Sequence, residues 1–342
     1  MMSPGPLMID LVGQHPDEPE RERLRHPSTG GLIIFTRNYH SLEQVSELVR
    51  EVRSLRDDLL IAVDYEGGRV QRFGPPFFKL PPMRSLGRMY DEHPAHALQL
   101  ATLHGWMIGS ELRAVDIDLA FAPVLDLDWA ACKVIGDRAL HGEHSIVTEL
   151  ATAHMRGLHA AGMAATGKHY PGHGHVQEDS HHELPVDRRD IDELLTHDER
   201  PFAELIEAGL ESIMMAHIVY PAVDTQPASL SERWIRDELR RRLGFTGAVF
   251  CDDLSMGGAA ALGDYAERAR LAMTAGCDML PVCNNRDEAE RLAETIRDQR
   301  DALAAGRLHH LRGRSRSEWK VLHDSNAWHE AAQKLQTLSG TA

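Results

Sequence analysis

The chain has 342 residues, of which 42% are apolar and 26% are charged, as in an ordinary soluble globular protein. This length is enough for one large α/β domain or for two domains of common size. The formal net charge of −15 would repel phosphates, which argues against nucleic acid or an anionic membrane as the main partner.

The cysteines and the N-terminal segment bear on the cellular compartment. The four cysteines form no C-x-x-C pair and no disulfide pattern, which favours a reducing compartment. Residues 1–11 contain no basic segment and reach Asp10 after a short apolar run, unlike a secretory signal. No run approaches the roughly 20 apolar residues that a membrane helix requires. We therefore expect a cytoplasmic protein that does not enter the membrane.

Short apolar runs alternate with amphipathic segments along the whole chain. Eight such runs cover residues 6–12, 31–36, 59–63, 117–124, 163–167, 212–220, 247–250 and 278–283. They read as continuous hydrophobic stretches, which is typical of parallel strands covered on both faces. Eight strands that are each followed by a helix predict an α/β fold, a (β/α)8 TIM barrel.

The alternative fold is a doubly wound open sheet, but no G-x-G-x-x-G sequence follows the first strand. No linker or change in composition interrupts the chain, so we expect a single domain. The barrel is expected to cover about residues 5–305, and a C-terminal helical tail about residues 306–342.

Amphipathic segments between the runs predict helices. One is expected over residues 95–113 and another over residues 191–208. The sequence Ser-Leu-Ser-Glu at 229–232 has the form of a capping box, which predicts Ser229 as the N-cap of a helix that ends near Arg242.

Polar side chains end five of the eight runs, from the third to the seventh. They are Asp64, Asp126, Lys168, His217 and Asp252. The carboxyl ends of barrel strands meet at one rim, where barrel enzymes place their active sites. The sequence therefore predicts a site at this rim, although His217 in an apolar strand is better explained as a hydrogen-bonded barrel residue.

Asp252 and Asp253 end the seventh run. A carboxylate at this position can attack an anomeric carbon in glycosyl transfer, or it can cap the following helix. Alternation along the strand places the two side chains on opposite faces. We assign the catalytic role to Asp252 and a supporting role to Asp253.

A loop rich in glycine and histidine follows Lys168 and His169. Within it, Asp179 and His181 are spaced so that the carboxylate could fix the imidazole tautomer and give a general acid/base. An Asx turn with a solvated histidine explains the same residues equally well. Five of the 21 histidines lie between His169 and His182, yet the glycines and the lack of H-E-x-x-H argue against a metal site.

The segment 66–72, Glu-Gly-Gly-Arg-Val-Gln-Arg, follows the third strand. Its two glycines allow close approach of the backbone to a ligand. Asp64, Arg69 and Arg72 could bind sugar hydroxyls through charge-assisted hydrogen bonds, or they could form a structural turn with a salt bridge. Arg138 and the Lys168-His169 pair admit the same two interpretations.

Taken together, five segments resemble family 3 glycoside hydrolases, and among them the single-domain bacterial β-N-acetylglucosaminidases (β-hexosaminidases) of peptidoglycan recycling. The segments are Val-Asp-Tyr-Glu-Gly-Gly-Arg-Val-Gln-Arg at 63–72, Phe-Ala-Pro-Val-Leu-Asp at 121–126, Gly-Lys-His-Tyr-Pro-Gly-His-Gly at 167–174, Asp-Ser-His at 179–181 and Asp-Asp-Leu-Ser-Met at 252–256. The resemblance covers about residues 5–285 in the order that the family has.

The resemblance implies a TIM barrel and retaining hydrolysis through a covalent glycosyl-enzyme. Asp252 matches the family's nucleophile, His181 its acid/base and Asp179 the partner of that histidine. The positions that match those holding the terminal N-acetylglucosamine are Asp64, Arg72, Arg138, Lys168 and His169. The implied substrates are cytoplasmic muropeptide fragments; no cofactor or metal is needed, and we expect a monomer.

Four residues depart from the family pattern. Tyr65 stands for a usual Gln, Ala139 and Cys251 for a common Ser, and His175 for a frequent carboxylate. None is a proposed catalytic residue, although Tyr65 and His175 could alter the rim of the substrate pocket.

Other activities fit the same residues. Adjacent aspartates suit substrate-assisted catalysis by the 2-acetamido group, and a histidine acid/base would tolerate phosphate and so allow phosphorolysis. A zinc amidohydrolase would use the histidine cluster. A sugar-binding barrel without catalytic activity is the remaining alternative.

Overall fold

The computed structural model describes residues 4–177, 184–256, 262–299 and 301–340. Its strands are β1 (Leu7–Ile9), β2 (Thr29–Ile34), β3 (Leu60–Val63), β4 (Tyr65–Gly67), β5 (Val70–Gln71), β6 (Leu119–Ala120), β7 (Thr166–Tyr170), β8 (Ser212–Met215), β9 (Ala248–Phe250) and β10 (Leu280–Val282). Each of the eight predicted runs contains or overlaps one barrel strand. The remaining two strands, β4 and β5, form an antiparallel hairpin after β3.

Parallel pairing closes the eight barrel strands into a ring. The order β10-β1-β2-β3-β6 forms one sheet and β7-β8-β9 another. Parallel bridges from Leu119 to Ala164 and from Phe250 to Met279 join the two sheets at both edges. The predicted (β/α)8 barrel is thereby confirmed.

Helices surround the barrel and continue beyond its last strand. They are α1 (Glu18–Arg25), α2 (Leu42–Leu55), α3 (Met83–Glu92), α4 (Pro94–Ala114), α5 (His144–Ala160), α6 (Ile191–Thr196), α7 (Arg200–Glu207), α8 (Arg233–Arg242, with π-type hydrogen bonds), α9 (Tyr265–Ala275), α10 (Arg286–Thr295), α11 (Ala302–His310), α12 (Trp319–His323) and α13 (Asn326–Gln336). The helix predicted over 191–208 is in fact two helices, α6 and α7. Within the part of the chain that the structure describes, no helix has the length and apolar character to cross a bilayer.

The predicted N-cap at Ser229 is wrong. Ser229 lies in a short 3-10 turn, Ala228–Leu230, and is buried. The hydroxyl of Ser231 accepts the hydrogen bond of the Trp234 backbone N–H instead, at 3.2 Å. Ser229 cannot cap the helix because its hydroxyl is hydrogen-bonded to His217 in the barrel wall.

Helices α4 and α5 pack closely because each presents a glycine to the other. A Cβ at Gly105 would lie 2.1 Å from the carbonyl oxygen of His154, and a Cβ at Gly157 would lie 2.0 Å from that of Thr102. Side chains at either position would push the helices apart. The close approach buries His104 and His154 completely between the helices, with ring centroids 5.3 Å apart.

The barrel interior is filled by side chains, and its N-terminal end is closed by the segment around α11. Phe121 and Phe250 meet edge to face at 5.2 Å inside the barrel. Leu308 and Leu311 belong to the same buried cluster. The Gly313 backbone N–H donates to Asp118, which lies just before β6, at 3.1 Å. In the part of the chain that the structure describes, the carboxyl-terminal end of the barrel is thus the end left open to a ligand.

Candidate active site

A cavity of about 640 Å³ opens at the carboxyl-terminal ends of the barrel strands. It brings together all the predicted site residues that fall within the described ranges, namely Asp64, Arg72, Arg138, Lys168, His169 and Asp252. Asp179 and His181 lie outside the described residues, so their roles stay predictions from the sequence. The apolar part of the wall includes Phe35 and Phe121, and the Arg72 guanidinium lies over the Phe35 ring at 5.7 Å.

The hairpin of β4 and β5 carries one wall of the cavity. Gly67 and Gly68 turn the chain with φ values of 91° and 57°, a region that disfavours side chains. A Cβ at Gly67 would lie 2.4 Å from the Pro81 carbonyl oxygen. The same carbonyl accepts a hydrogen bond from His104 Nε2 at 3.1 Å, which ties the loop packed against Gly67 to α4.

Charges of opposite sign alternate along this wall. Asp64 accepts from Arg72 Nη2 at 3.0 Å and from Lys168 Nζ at 3.1 Å. Glu66 lies 2.6 Å from Lys168 Nζ and binds Arg138 through both its oxygens, at 2.8 and 2.9 Å. The five groups form one continuous network. Glu66 is the member that sequence reasoning did not assign, although it lies in the Gly-Gly segment already singled out.

Electrostatics keeps the two carboxylates and Arg138 of this network ionised. Burial would raise the pKa of Asp64, but Lys168 and Arg72 outweigh it and hold that pKa well below its usual range. Burial would likewise raise the pKa of Glu66, yet Arg138 and Lys168 lower it to about 2. Burial would lower the pKa of Arg138, and Glu66 raises it instead. At neutral pH the wall therefore presents fixed, charged donors and acceptors suited to the hydroxyl groups of a sugar.

Asp126 organises the neighbouring wall, which follows β6 and β7. Its Oδ2 lies 2.8 Å from His169 Nδ1, and its Oδ1 accepts from the backbone N–H groups of His169, at 3.1 Å, and His173, at 2.8 Å. Burial would raise the pKa of Asp126, but His169 and its hydrogen bond outweigh this and lower it to about 2. Since ionised Asp126 can only accept, His169 carries its proton on Nδ1. The sequence placed Asp126 at a strand end without assigning it this function.

His173 forms part of the same wall and packs edge to face against His169 at 5.6 Å. Burial lowers its pKa to about 4, so the ring is neutral at physiological pH. Cys132 Sγ lies 3.7 Å from its Nδ1. A neutral imidazole at this position adds polarity to the cavity without adding charge.

The Asp252-Asp253 pair follows β9, and both residues line the cavity. Asp253 is anchored: its Oδ1 accepts from Ser255 N at 2.9 Å and from Cys283 N at 3.1 Å, and its Oδ2 accepts from Ser255 Oγ at 2.7 Å. Burial raises the pKa of Asp253 to about 6. Its backbone N–H donates to Asp252 Oδ1 at 2.9 Å, so the anchored residue in turn orients Asp252.

His217 supports this turn from the neighbouring strand. It is completely buried, and burial lowers its pKa. Its Nε2 donates to the Asp253 carbonyl oxygen at 3.1 Å, which leaves Nδ1 to accept from the Ser229 hydroxyl. The interpretation of His217 as a hydrogen-bonded barrel residue is confirmed, and its tautomer is fixed by the acceptor that faces Nε2.

Tyr65 and His175, two of the departures from the family pattern, do not line the cavity. Tyr65 is buried beneath it among aromatic rings, with its hydroxyl accepting from Gln71 Nε2 at 3.0 Å. His175 is 41% exposed and packs edge to face against Trp129.

The segment that follows His169 is rich in histidine, a common metal ligand. Among residues 4–177, 184–256, 262–299 and 301–340, no three His, Cys, Asp or Glu side chains are arranged to hold a metal ion. All four cysteines are free and buried.

Comparisons with known proteins agree with this geometry. The family model described as "Glycosyl hydrolase family 3 N terminal domain" matches residues 7–309. A protein of Thioalkalivibrio sulfidiphilus named Beta-hexosaminidase is 49% identical over 338 residues, which are 98% of this chain and 97% of the relative. One of Methylobacillus flagellatus with the same name is 47% identical over 336 residues, which are 98% and 96% of the two chains.

A solved structure resembles the chain over its whole length. It is that of NagZ from Neisseria gonorrhoeae in complex with N-trifluoroacetyl-D-glucosamine. Its TM-score is 0.93 and its sequence identity 40%, with 99% of each chain covered.

Proposed function

Because this chain belongs to glycosyl hydrolase family 3 and is a glycoside hydrolase of the β-hexosaminidase type, we propose that it is a retaining exo-β-N-acetylglucosaminidase. Its proposed substrates are muropeptide fragments released during peptidoglycan recycling, from which it removes the terminal N-acetylglucosamine. The free cysteines agree with a cytoplasmic location. We propose that the enzyme acts as a monomer and needs no cofactor.

The observation that carries the proposal is the position of Asp252. Its carboxylate lies at the carboxyl end of a barrel strand, in the cavity that the charged wall of Asp64, Lys168 and Arg138 also lines. A carboxylate facing a set of hydroxyl-binding groups is what a glycosyl-enzyme mechanism requires. Arg72 and His169 complete the groups that we assign to binding the terminal sugar.

The proposed reaction has two steps. In the first, an oxygen of Asp252 bonds to the anomeric carbon while the bond to the leaving oxygen breaks, and protonated His181 gives its proton to that oxygen. In the second, His181 takes a proton from water, the water oxygen bonds to the anomeric carbon and the ester to Asp252 breaks. Asp179 stabilises the imidazolium form of His181. Two inversions release the sugar with its original configuration.

The fixed network of the described wall suits this mechanism. The transition state of glycoside hydrolysis gains from hydrogen bonds to the sugar that strengthen as charge develops. Donors that are already ionised and paired, such as Arg138 and Lys168, need no reorganisation when that charge appears. Neutral His173 keeps the wall beside them polar without adding a further charge.

The test compares an aryl N-acetyl-β-glucosaminide with the β-glucoside analogue, using the parent enzyme and Asp252→Asn. We expect turnover of the first substrate by the parent enzyme, and loss of several orders of magnitude in the variant. A 2-fluoro sugar should label Asp252, as read by mass spectrometry. Label on another residue, or release of the opposite anomer, would contradict the mechanism.

Acceleration by inorganic phosphate with a sugar phosphate as product would instead identify a phosphorylase. Inactivation by a chelator that zinc reverses would favour the amidohydrolase alternative.

A further inference from the structure

Lys133 lies at the rim of the cavity, on the loop between β6 and α5. Its side chain is exposed and lines the cavity. Among the residues that the structure describes, no carboxylate lies within ion-pair distance of its ammonium group. Its charge therefore faces the space that a ligand would occupy.

This distinguishes Lys133 from the other cations of the cavity. Each of those makes an ion pair with Asp64, Glu66 or Asp137; they are Arg69, Arg72, Arg138 and Lys168. Their charges are largely balanced within the wall. Among the described cations that line the cavity, Lys133 is the one that makes no ion pair with a described carboxylate, in a protein whose net charge is −15.

The backbone beneath Lys133 is held in place by the active-site wall. Arg69 Nη2 donates to the carbonyl oxygens of Lys133, at 3.3 Å, Val134, at 2.6 Å, and Ile135, at 3.3 Å. Arg138, which binds the buried carboxylate of Glu66, also donates to the Val134 carbonyl at 3.2 Å. The rim residue thus has a fixed position relative to the sugar-binding network.

The position of Lys133 suggests which part of a ligand it meets. Asp64 and Lys168, which we assign to binding the terminal sugar, line the cavity, and Lys168 is almost completely buried there. A group that leaves from that sugar extends outward, towards the exposed rim. An acidic leaving group is repelled by the overall negative charge, and a local cation offsets that repulsion.

We infer that Lys133 is a rim subsite for a carboxylate on the leaving half of the substrate, so that acidic aglycones are preferred to neutral ones. This rests on the proposed function, which supplies muropeptide fragments as substrates. Their stem peptides carry free carboxylates. Lys133 then determines specificity without touching the bond that is cleaved.

The test measures kcat and KM for an N-acetylglucosaminyl-anhydromuramyl peptide and for the same compound with its carboxylates converted to amides. The variants are Lys133→Met and Lys133→Arg. The matched control is Lys320→Met, which removes the same charge from an exposed position on α12 away from the cavity. An aryl N-acetyl-β-glucosaminide reports on the integrity of the sugar site.

We expect Lys133→Met to raise KM for the acidic peptide by roughly two- to fivefold, within the range measured for exposed ion pairs. The effect should shrink at high ionic strength, and Lys133→Arg should retain most of the preference. In Lys133→Met, the KM values for the amidated peptide and for the aryl substrate should stay unchanged.

Equal effects on the acidic and amidated peptides, no effect on either, or the same effect in Lys320→Met would overturn the subsite and leave the proposed function intact. A parent enzyme that hydrolyses neither the peptide nor the aryl substrate would overturn the proposed function and the subsite with it.

Discussion

The carboxylate of Asp126 holds both the ring and the backbone of His169. Its Oδ2 accepts from Nδ1 at 2.8 Å and its Oδ1 from the backbone N–H at 3.1 Å. One buried acceptor therefore fixes the tautomer, the ring orientation and the local chain of a residue that lines the cavity. The position of His169, which lies in β7, therefore depends on a residue that follows the preceding barrel strand, β6.

Replacing Asp126 by Asn should impair catalysis more than it impairs folding. The amide keeps the shape of the side chain but has no negative charge, and only one of its two terminal atoms can accept a hydrogen bond. A hydrogen bond to a charged group contributes about 1.5–3 kcal/mol. We expect kcat/KM on an aryl N-acetyl-β-glucosaminide to fall roughly ten- to a hundredfold.

Asp118→Asn provides the matched control, because Asp118 is an equally buried carboxylate at the closed end of the barrel. It should lower the melting temperature and leave kcat/KM of the folded enzyme unchanged. Equal kinetic losses in the two variants would show that Asp126 acts only through stability.

Glu66→Gln should weaken sugar binding. Glu66 neutralises Arg138 and Lys168, and removing one partner of a buried ion pair costs about 3–5 kcal/mol. We expect a lower melting temperature and a higher inhibition constant for N-acetylglucosamine. Glu149→Gln, on the outer face of α5, should change neither. An unchanged inhibition constant in Glu66→Gln would mean that the network does not reach the sugar.

His217→Leu should lower kcat with little change in KM. His217 supports the Asp253 backbone, and misplacement of the adjacent Asp252 by about 1 Å would cost roughly a hundredfold in rate. His217→Gln, whose amide can still donate, should recover part of the loss. A change in KM alone, in either variant, would argue that His217 has no effect on the position of Asp252.

The buried pair His104 and His154 predicts acid sensitivity. Burial lowers the pKa of His104 from an ordinary 6.5 to about 4 and holds that of His154 well below 6.5. The folded state therefore binds fewer protons than the unfolded state between about pH 6.5 and pH 4. The free energy of unfolding should be unaffected by these rings above pH 6.5 and should fall as pH drops through that window.

His154→Leu tests this, because neither ring nitrogen of His154 has a hydrogen-bond partner among the described residues. Melting temperatures from pH 4 to pH 8 should depend less steeply on pH in the variant. His96→Leu, at an exposed position of α4, should follow the parent curve. Parallel curves for all three proteins would exclude His154 as a source of acid sensitivity.

The barrel was predictable because its signal is local. Each of the eight apolar runs contains or overlaps a barrel strand and five of them end in a polar side chain, and both properties can be read within about ten residues. The same signal placed Asp64, Lys168 and Asp252 at one rim. Side-chain roles at that rim were harder to predict when they depended on partners far along the chain.

Glu66 illustrates this limit, since its partners Arg138 and Lys168 are brought to it only when the barrel closes. Ser229 illustrates another. Its sequence context favoured a helix cap, but the hydroxyl is used by His217, which lies in the barrel wall. In both cases the role of the side chain was set by a tertiary hydrogen bond or ion pair, which the local sequence does not reveal.

Leu308 and Leu311, which close the N-terminal end of the barrel, have a consequence for folding during translation. These side chains occupy the interior beneath strands that leave the ribosome long before them. During translation, the incomplete barrel exposes Met8 and Leu60 to water at its N-terminal end. This exposure lasts until the segment around Gly313 has left the ribosome. Nascent chains stalled before that point should recruit chaperones, whereas chains stalled just beyond it should resist proteolysis.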